Sequence, residues 1–439
     1  MELYRKTVKD GISYNYLQTS RFKTGYFSVN FILPLSRETV SYYALLPRVL
    51  RCGCRSLPDR RSIVRRLEAL YGADICARHY GRGDKQIISF SADFLDNAYL
   101  PQDEPINVMQ ETLSVLRDLI LDPLLENGSF REEYVQLECR NCADAVRSMI
   151  NNKQQYAIHR CMLQMCRGET IGIPILGTVE DFASIDQGSL LACYRAMLAE
   201  AQVEIFYVGS ACIEEVEKRS AAIFDGVSRT WSGNTKSRNR ACQADRVREI
   251  EEETSAVQGK LVLGFRTGEA ESERERFAYS LLNEVYGGSP SSKLFINVRE
   301  KNSLCYSCFS TTDLLKGVML AVAGIENENK EKTVQEILLQ LDKTAHAEIS
   351  EEELHCAKQS LANGYKSLYD SAEGLEVWYL RRILGGHILP PEEAAAHIMQ
   401  LTAADVAAVA AKISLDTVYF LKGTAEGEEE FSDEVEDEE

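Results

Sequence analysis

The sequence predicts an α+β protein built from two homologous α/β halves, each a mostly antiparallel sheet covered by helices. Three observations predict it. The chain has 439 residues, too many for one ordinary core. The same succession of alternating apolar strands and apolar-periodic helices is read twice along it. A hydrophilic stretch without hydrophobic period, "SGNTKSRNRACQADRVREIEEE" (232–253), separates the two readings. The expected domains are therefore residues 1–231 and 254–425, joined by a linker over 232–253 and followed by an acidic tail over 426–439.

In the first half, "YFSVNFILPL" (26–35) alternates like a half-buried strand. Apolar helical runs follow at 40–51 and 62–71. "ADICARH" (73–79) and "QIISFSADF" (86–94) read as strands, and a long helical region runs from Asn107 to Arg167. The stretch "GTVEDFASIDQGSLLACYRAML" (177–198) reads as a loop and helix, with Ser184 placed to cap the turn before the apolar run. The strand "VEIFYVGS" (203–210) closes the half. The second half opens on the strand "KLVLGFRTG" (260–268). The helix "RERFAYSLLNEVYGG" follows and ends at Gly287 and Gly288. "GVMLAVAGI" (317–325) reads as a buried strand. Long helices run through 332–349, 350–369 and 375–386. "LTAADVAAVAAKI" (401–413) and "DTVYFLKG" (416–423) answer the loop, helix and strand that end the first half.

Composition excludes several classes of function. Of the 18 excess negative charges, ten sit in the last fourteen residues, "EGEEEFSDEVEDEE", leaving eight on the body. Such a tail reads as solvated and disordered. A net-negative body is a poor nucleic-acid binder, since phosphate contacts need clustered Lys and Arg. The start "MELYRKTVKDGISYNYLQ" lacks the apolar core of a signal peptide, and no apolar run is long enough to insert in a membrane. The thirteen cysteines read as reduced, mostly buried cytosolic thiols, which places the chain in the cytoplasm. "CGC" (Cys52, Cys54), "CRNC" (Cys139, Cys142) and "CYSC" (Cys305, Cys308) have short spacings, but they fall in helical or strand-like contexts rather than the tight turns of zinc knuckles.

Four stretches carry a family resemblance: "RSIVRRLEALYGADICARHYGRGDKQIISFSADFL" (61–95), "PILGTVEDFASIDQGSLLACYRAML" (174–198), "VEIFYVG" (203–209) and "GGSPSSKLFINVREKNSLCYSCFS" (287–310). Together they resemble the insulinase/pitrilysin metallopeptidase superfamily. The likeness is to its short, processing-peptidase-like members and, among these, to the degenerate YmfF-type bacterial subgroup. It covers about residues 20–423. It implies a chain forming one half of a clamshell around a large chamber.

Active relatives carry the inverted zinc motif H-x-x-E-H on the helix after the first strand. Residues four apart share one helix face, so two imidazoles grip one Zn²⁺ while the glutamate activates its water. Here "YYALLPRVLRCGC" (42–54) stands at that place, and the motif falls on Ala44, Leu45, Leu46, Pro47 and Arg48. Both histidine positions are lost, to Ala44 and Arg48, and the general-base position is Pro47. None of the six histidines forms an H-x₃-H pair with another. Glu138, in "QLECRNC", stands at the distal-ligand position, and one carboxylate does not hold zinc alone. No metal and no cofactor is expected. The stretch reads instead as a helix packed by Leu45, Leu46, Val49 and Leu50.

The resemblance also implies an Arg and a Tyr, seven residues apart, that hold the substrate backbone and polarise the scissile carbonyl. Arg299 and Tyr306 have that spacing. Gly287 and Gly288 read as a tight turn beside them. The expected function is a noncatalytic subunit of an insulinase-type zinc peptidase heterodimer, which shapes the chamber and holds peptide for a zinc-bearing homologue. A homodimeric peptide-binding or scaffold protein is the alternative.

Overall fold

The computed structural model describes residues 2–9, 11–101, 105–233 and 241–424. The acidic tail at 426–439 and part of the expected linker, 234–240, lie outside the described residues.

The chain forms two compact units. The first is assembled from 1–148, 173–239 and 364–394. Its strands are β1 (Tyr4–Lys9), β2 (Ile12–Gln18), β3 (Thr24–Pro34), β4 (Asp74–Arg82) and β5 (Lys85–Leu95), a two-residue pairing of β6 (Leu125–Glu126) with β7 (Ser129–Phe130), and β8 (Gln202–Gly209). The main sheet has the order β1-β2-β8-β3-β5-β4. Only the β2–β8 pair is parallel. Alternation along β3 decides its two faces. Phe27, Val29 and Phe31 enter the main core, while Tyr26 and Ile32 face the opposite side.

Helices α1 (Val40–Leu50), α2 (Arg60–Glu68), α3 (Val108–Leu121), α4 (Glu132–Ser148), α6 (Val179–Ser184), α7 (Gln187–Glu200) and α8 (Ile213–Ile223) belong to this unit. Helix α2 ends at Glu68, and the turn after it reverses the chain through left-handed Tyr71 and Gly72, at φ 61° and 74°. The helical region expected over 107–167 is interrupted after α3. There Asn127 and Gly128 adopt φ 52° and 80° in the β6–β7 turn. The cap expected at Ser184 is a correction. Two capping boxes, Thr178 with Asp181 and Asp186 with Ser189, divide that segment into α6 and α7. Asp186 caps α7 by accepting the Ser189 amide at 2.8 Å. Ser184 lies in the last turn of α6, where its hydroxyl donates to the Asp181 carbonyl at 2.8 Å.

Among the described residues the second unit comprises 149–172, 241–363 and 395–424. Helix α5 (Lys153–Met165) comes first in sequence, followed by β9 (Arg248–Thr254), β10 (Gly259–Arg266), β11 (Ser307–Asp313), β12 (Val318–Ile325) and β13 (Ser414–Gly423). The sheet order is β11-β12-β10-β13-β9, and only β13–β9 is parallel. Set beside β4-β5-β3-β8-β2, this is the same topology strand for strand. The duplication read from the sequence is therefore present in the hydrogen-bond ladders. Strand β9 forms within the segment expected to be linker. Its residues "REIEEET" alternate between partly covered and exposed along an edge, so charged side chains face solvent while the backbone pairs with β13.

Helices α9 (Glu273–Asn283), α10 (Lys330–Ala345), α11 (Glu351–Ser367), α12 (Ala372–Gly385), α13 (Pro391–Gln400) and α14 (Ala403–Ala410) complete the chain, with two π-helical segments, Glu284–Gly288 and Leu294–Lys301, after α9.

Two helices join a sheet distant from them in sequence. In the second unit, Ala157 and Cys161 of α5 pack on Val262, Leu320, Val322 and Tyr419. A Cβ on Gly264 would lie 2.5 Å from the Met165 sulfur, so a side chain there would displace Met165 from the sheet. The end of α5 is held by Arg266, whose guanidinium is buried. It donates to Asp416 Oδ2 at 2.8 Å, Glu169 Oε1 at 2.6 Å and the Met165 carbonyl at 2.7 Å. Two carboxylates and a helix C-terminal carbonyl compensate the cost of burying that charge.

In the first unit, Leu375, Tyr379 and Leu380 of α12 cover Leu17, Tyr26, Ile32 and Phe206. The buried Glu376 of α12 accepts from Asn30 Nδ2 at 2.6 Å and from the hydroxyls of Tyr26 and Ser28. Burial raises its pKa above the usual carboxylate range, although these hydrogen bonds oppose the shift. A raised folded-state value favours the protonated form in the fold. The stability it contributes is present below the unfolded pKa and is lost as pH rises through the folded one. The unfolding free energy from urea melts should therefore fall as pH rises above the usual carboxylate range, and Glu376→Gln should flatten that slope.

Candidate functional site

Helix α1 follows β3 and packs its Leu45, Leu46, Val49 and Leu50 into the main core. The helix runs unbroken through Pro47. Proline has no amide hydrogen for the Tyr43 carbonyl, so one rung of the helical ladder is missing at that turn. Ala44 and Pro47 are buried on the helix, whereas Arg48 is exposed. The structure thus places the three motif positions together on the wall of one cavity. A methyl, a pyrrolidine ring and a guanidinium occupy them, and none offers an electron pair to a metal.

The cavity measures about 620 Å³. Arg60 and Ile63 of α2, His79 and Tyr80 of β4, and Glu138 of α4 also line it. Glu138 lies at the cavity wall, 1% exposed. Its Oε1 accepts from Arg60 Nη2 at 2.5 Å and its Oε2 from Asn141 Nδ2 at 3.1 Å. The Cys52 sulfur lies 3.9 Å from Oε1 and 3.5 Å from Arg60 Nη2. Burial raises the Cys52 pKa, and the Arg60 charge only partly offsets it. His79 shares a hydrogen bond of 3.2 Å with Gln86, and burial pushes its pKa down to about 4, so it is neutral near pH 7.

The zinc that the family implies does not fit these residues. Glu138, expected at the distal-ligand position, is already paired with a guanidinium. Among the described residues no group of three or more His, Cys, Asp or Glu could hold a metal. No hydrolytic step can be built on this helix. Sequence reasoning placed Glu138 but missed Arg60. The signal was the arginine density of residues 48–66, with Arg60 opening α2 directly after its Asp59 cap.

Arg299 and Tyr306 lie in the second unit. Arg299 sits in the π-helical segment with its guanidinium 4.6 Å from the Phe295 ring centre and its Nε 3.7 Å from Glu300 Oε1. Tyr306 precedes the edge strand β11. It is 48% exposed, and its hydroxyl donates to Glu326 Oε1 at 2.8 Å. That hydrogen bond raises the phenol pKa. No hydrogen bond joins Arg299 to Tyr306 among the described residues; both side chains are exposed and held by local partners. Gly287 lets the π-helical turn approach β11, since a Cβ there would lie 2.6 Å from the Ser310 amide nitrogen. Gly288 faces Glu284 and Asn283 just as closely. The Cys305 thiol is hydrogen-bonded to Cys308.

The chain is a two-sheet α+β protein whose helix α1 carries no His, Cys, Asp or Glu. The sequence profile described as "Peptidase M16 inactive domain" matches residues 184–361. The chain is 29% identical to the "Probable inactive metalloprotease YmfF" of Bacillus subtilis, over 95% of this chain and 97% of that protein. It is 27% identical to the "Uncharacterized zinc protease YmxG" of the same organism, over 57% and 59%. A conserved protein from Enterococcus faecalis V583 superimposes with a TM-score of 0.88 at 28% identity, over 97% of this chain and all of that one. Over nearly its whole length the chain is thus similar to proteins of the peptidase M16, or insulinase, family.

Arg60→Ala should cost about 1–3 kcal/mol in chemical denaturation, because it leaves a buried carboxylate without its cation. Adding Glu138→Gln should recover most of the loss. A single variant as stable as the parent would show that the pair is not needed.

Proposed function

We propose that this chain is a noncatalytic, peptide-holding subunit that works beside a zinc-bearing homologue. The observation that carries the proposal is the contrast between two sites. On α1 the ligand positions are Ala44 and Arg48, the base position is Pro47, and Glu138 is ion-paired. In the second unit Arg299 and Tyr306 remain exposed, with a guanidinium and a phenol suited to peptide carbonyls and a developing oxyanion. The name of the Bacillus YmfF protein as an inactive metalloprotease supports the same reading. A zinc-bearing partner would cut, and this chain would shape the chamber and hold the peptide.

Strand β4 supports peptide holding as well. It pairs with β5 alone, so its outer edge presents unpaired backbone groups beside the cavity. All thirteen cysteines are free thiols, which suits a reducing compartment, and we place the chain in the cytoplasm. Among the described residues no helix is long and apolar enough to cross a membrane.

The test mixes the purified chain with an M16 homologue that carries an intact H-x-x-E-H motif and follows assembly and peptide cleavage. A stable complex is expected. Within it, Arg299→Ala or Tyr306→Phe should slow cleavage by about 10-fold or more while assembly persists. Recovery of the chain only as a self-paired dimer would favour the homodimeric scaffold. Unaltered rates in both variants would refute the substrate-holding role of these residues.

A further inference from the structure

The cavity beside α1 carries a charge pattern that the loss of zinc does not explain. Four arginines line it, Arg48, Arg51, Arg60 and Arg78, against two carboxylates, Asp74 and Glu138. Arg60 is matched by Glu138 and Arg78 by Glu373, each at 2.5 Å. Arg48 and Arg51 have no ion pair or side-chain hydrogen bond among the described residues. They lie in a concavity of a chain whose body is net acidic, so their local field stands apart from that of the molecule as a whole. The neighbouring His79 is neutral near pH 7, since burial pushes its pKa down to about 4. The positive character of the wall therefore comes from guanidinium groups, which stay charged at every working pH.

The free edge of β4 decides what kind of anion fits. A small anion such as phosphate would leave its row of backbone donors and acceptors unanswered. An extended peptide satisfies them by pairing as a further strand. Ile75 and Ala77 of β4 pack into the core that α1 also enters. Alternate side chains of an added strand would project from the same face, towards the helix that carries Arg48 and Arg51. Side chains two residues apart on such a strand are separated by about 6.6 Å, while the two arginines are offset by about 4.5 Å along the helix axis. Long, flexible arginine stems close that difference. A nucleic acid fits less well, because it would need many phosphate contacts against a body of like charge.

We propose that this cavity selects acidic peptide segments, with Arg48 and Arg51 gripping carboxylate side chains at alternate positions of a peptide laid along β4. The proposal rests on the peptide-holding reading and names the substrate class for it. The residue that displaced a zinc ligand, Arg48, becomes a specificity determinant rather than a mere loss.

The experiment measures fluorescence anisotropy of labelled, C-terminally amidated peptides on the full chain at low salt. One peptide carries glutamate at alternate positions, and its counterpart carries glutamine there. A third is the glutamine peptide with a free C-terminal carboxylate, which separates side-chain from terminal recognition. The glutamate peptide should bind about tenfold tighter than the glutamine peptide, and added salt should narrow the gap. The exposed double variant Arg48→Gln, Arg51→Gln should bind both equally, whereas Arg48→Lys, Arg51→Lys should keep part of the preference. Equal binding of the glutamate and glutamine peptides to the parent chain overturns the acidic selectivity and leaves peptide holding intact. Failure of the parent chain to bind any of the peptides overturns both. Preference for the free carboxylate alone moves recognition to a chain terminus, and an oligonucleotide that binds as tightly overturns the assignment to a peptide.

Discussion

A carboxylate sealed from water needs a positive partner, and Glu138 finds it in Arg60. This pair governs how the N-terminal site is to be understood. On the wall of the cavity beside α1, one buried carboxylate is answered by a guanidinium rather than by a metal-ligand set. A guanidinium offers hydrogen-bond donors only, so it neither ligates a metal nor activates water as a Lewis acid. Helix α1 is then free to serve as packing, and Leu45, Leu46, Val49 and Leu50 use it so.

Two other buried ionisable groups are likewise enclosed by polar partners. Arg266 is enclosed by Asp416, Glu169 and a helix-end carbonyl. Glu376 is enclosed by two hydroxyls and an amide. Both clusters sit where a helix distant in sequence joins a sheet. Polar groups with few alternative partners specify register more sharply than apolar contacts, which slide at little cost. Each sheet thus gains a helix on its second face, fixed in place by one satisfied buried polar cluster.

Much of the architecture was legible because it rests on periodicity. The alternation of "YFSVNFILPL" and the apolar run "VMLAVAGI" identify β3 and β12 directly. That helix α1 carries no His, Cys, Asp or Glu was legible from residue identity alone. Other features were hidden for physical reasons. Strand β9 is an edge whose outward residues are charged, so its composition looks like linker. Ser184 resembles a cap, yet Asp186 has the required position ahead of Ser189. The amphipathic faces of α5 and α12 announce that they will be covered but not by which sheet. Arginine density hinted at Arg60, but its role is defined by a residue 78 positions away. The meeting of Arg48 and Arg51 with β4 at one cavity likewise depends on tertiary contact.

Isothermal titration of zinc into the metal-free full chain, with metal content measured after dialysis, tests the central claim most directly. The account predicts no stoichiometric binding and no change when Glu138 is replaced by Gln. One tightly held zinc per chain, released by Glu138→Gln, would contradict it.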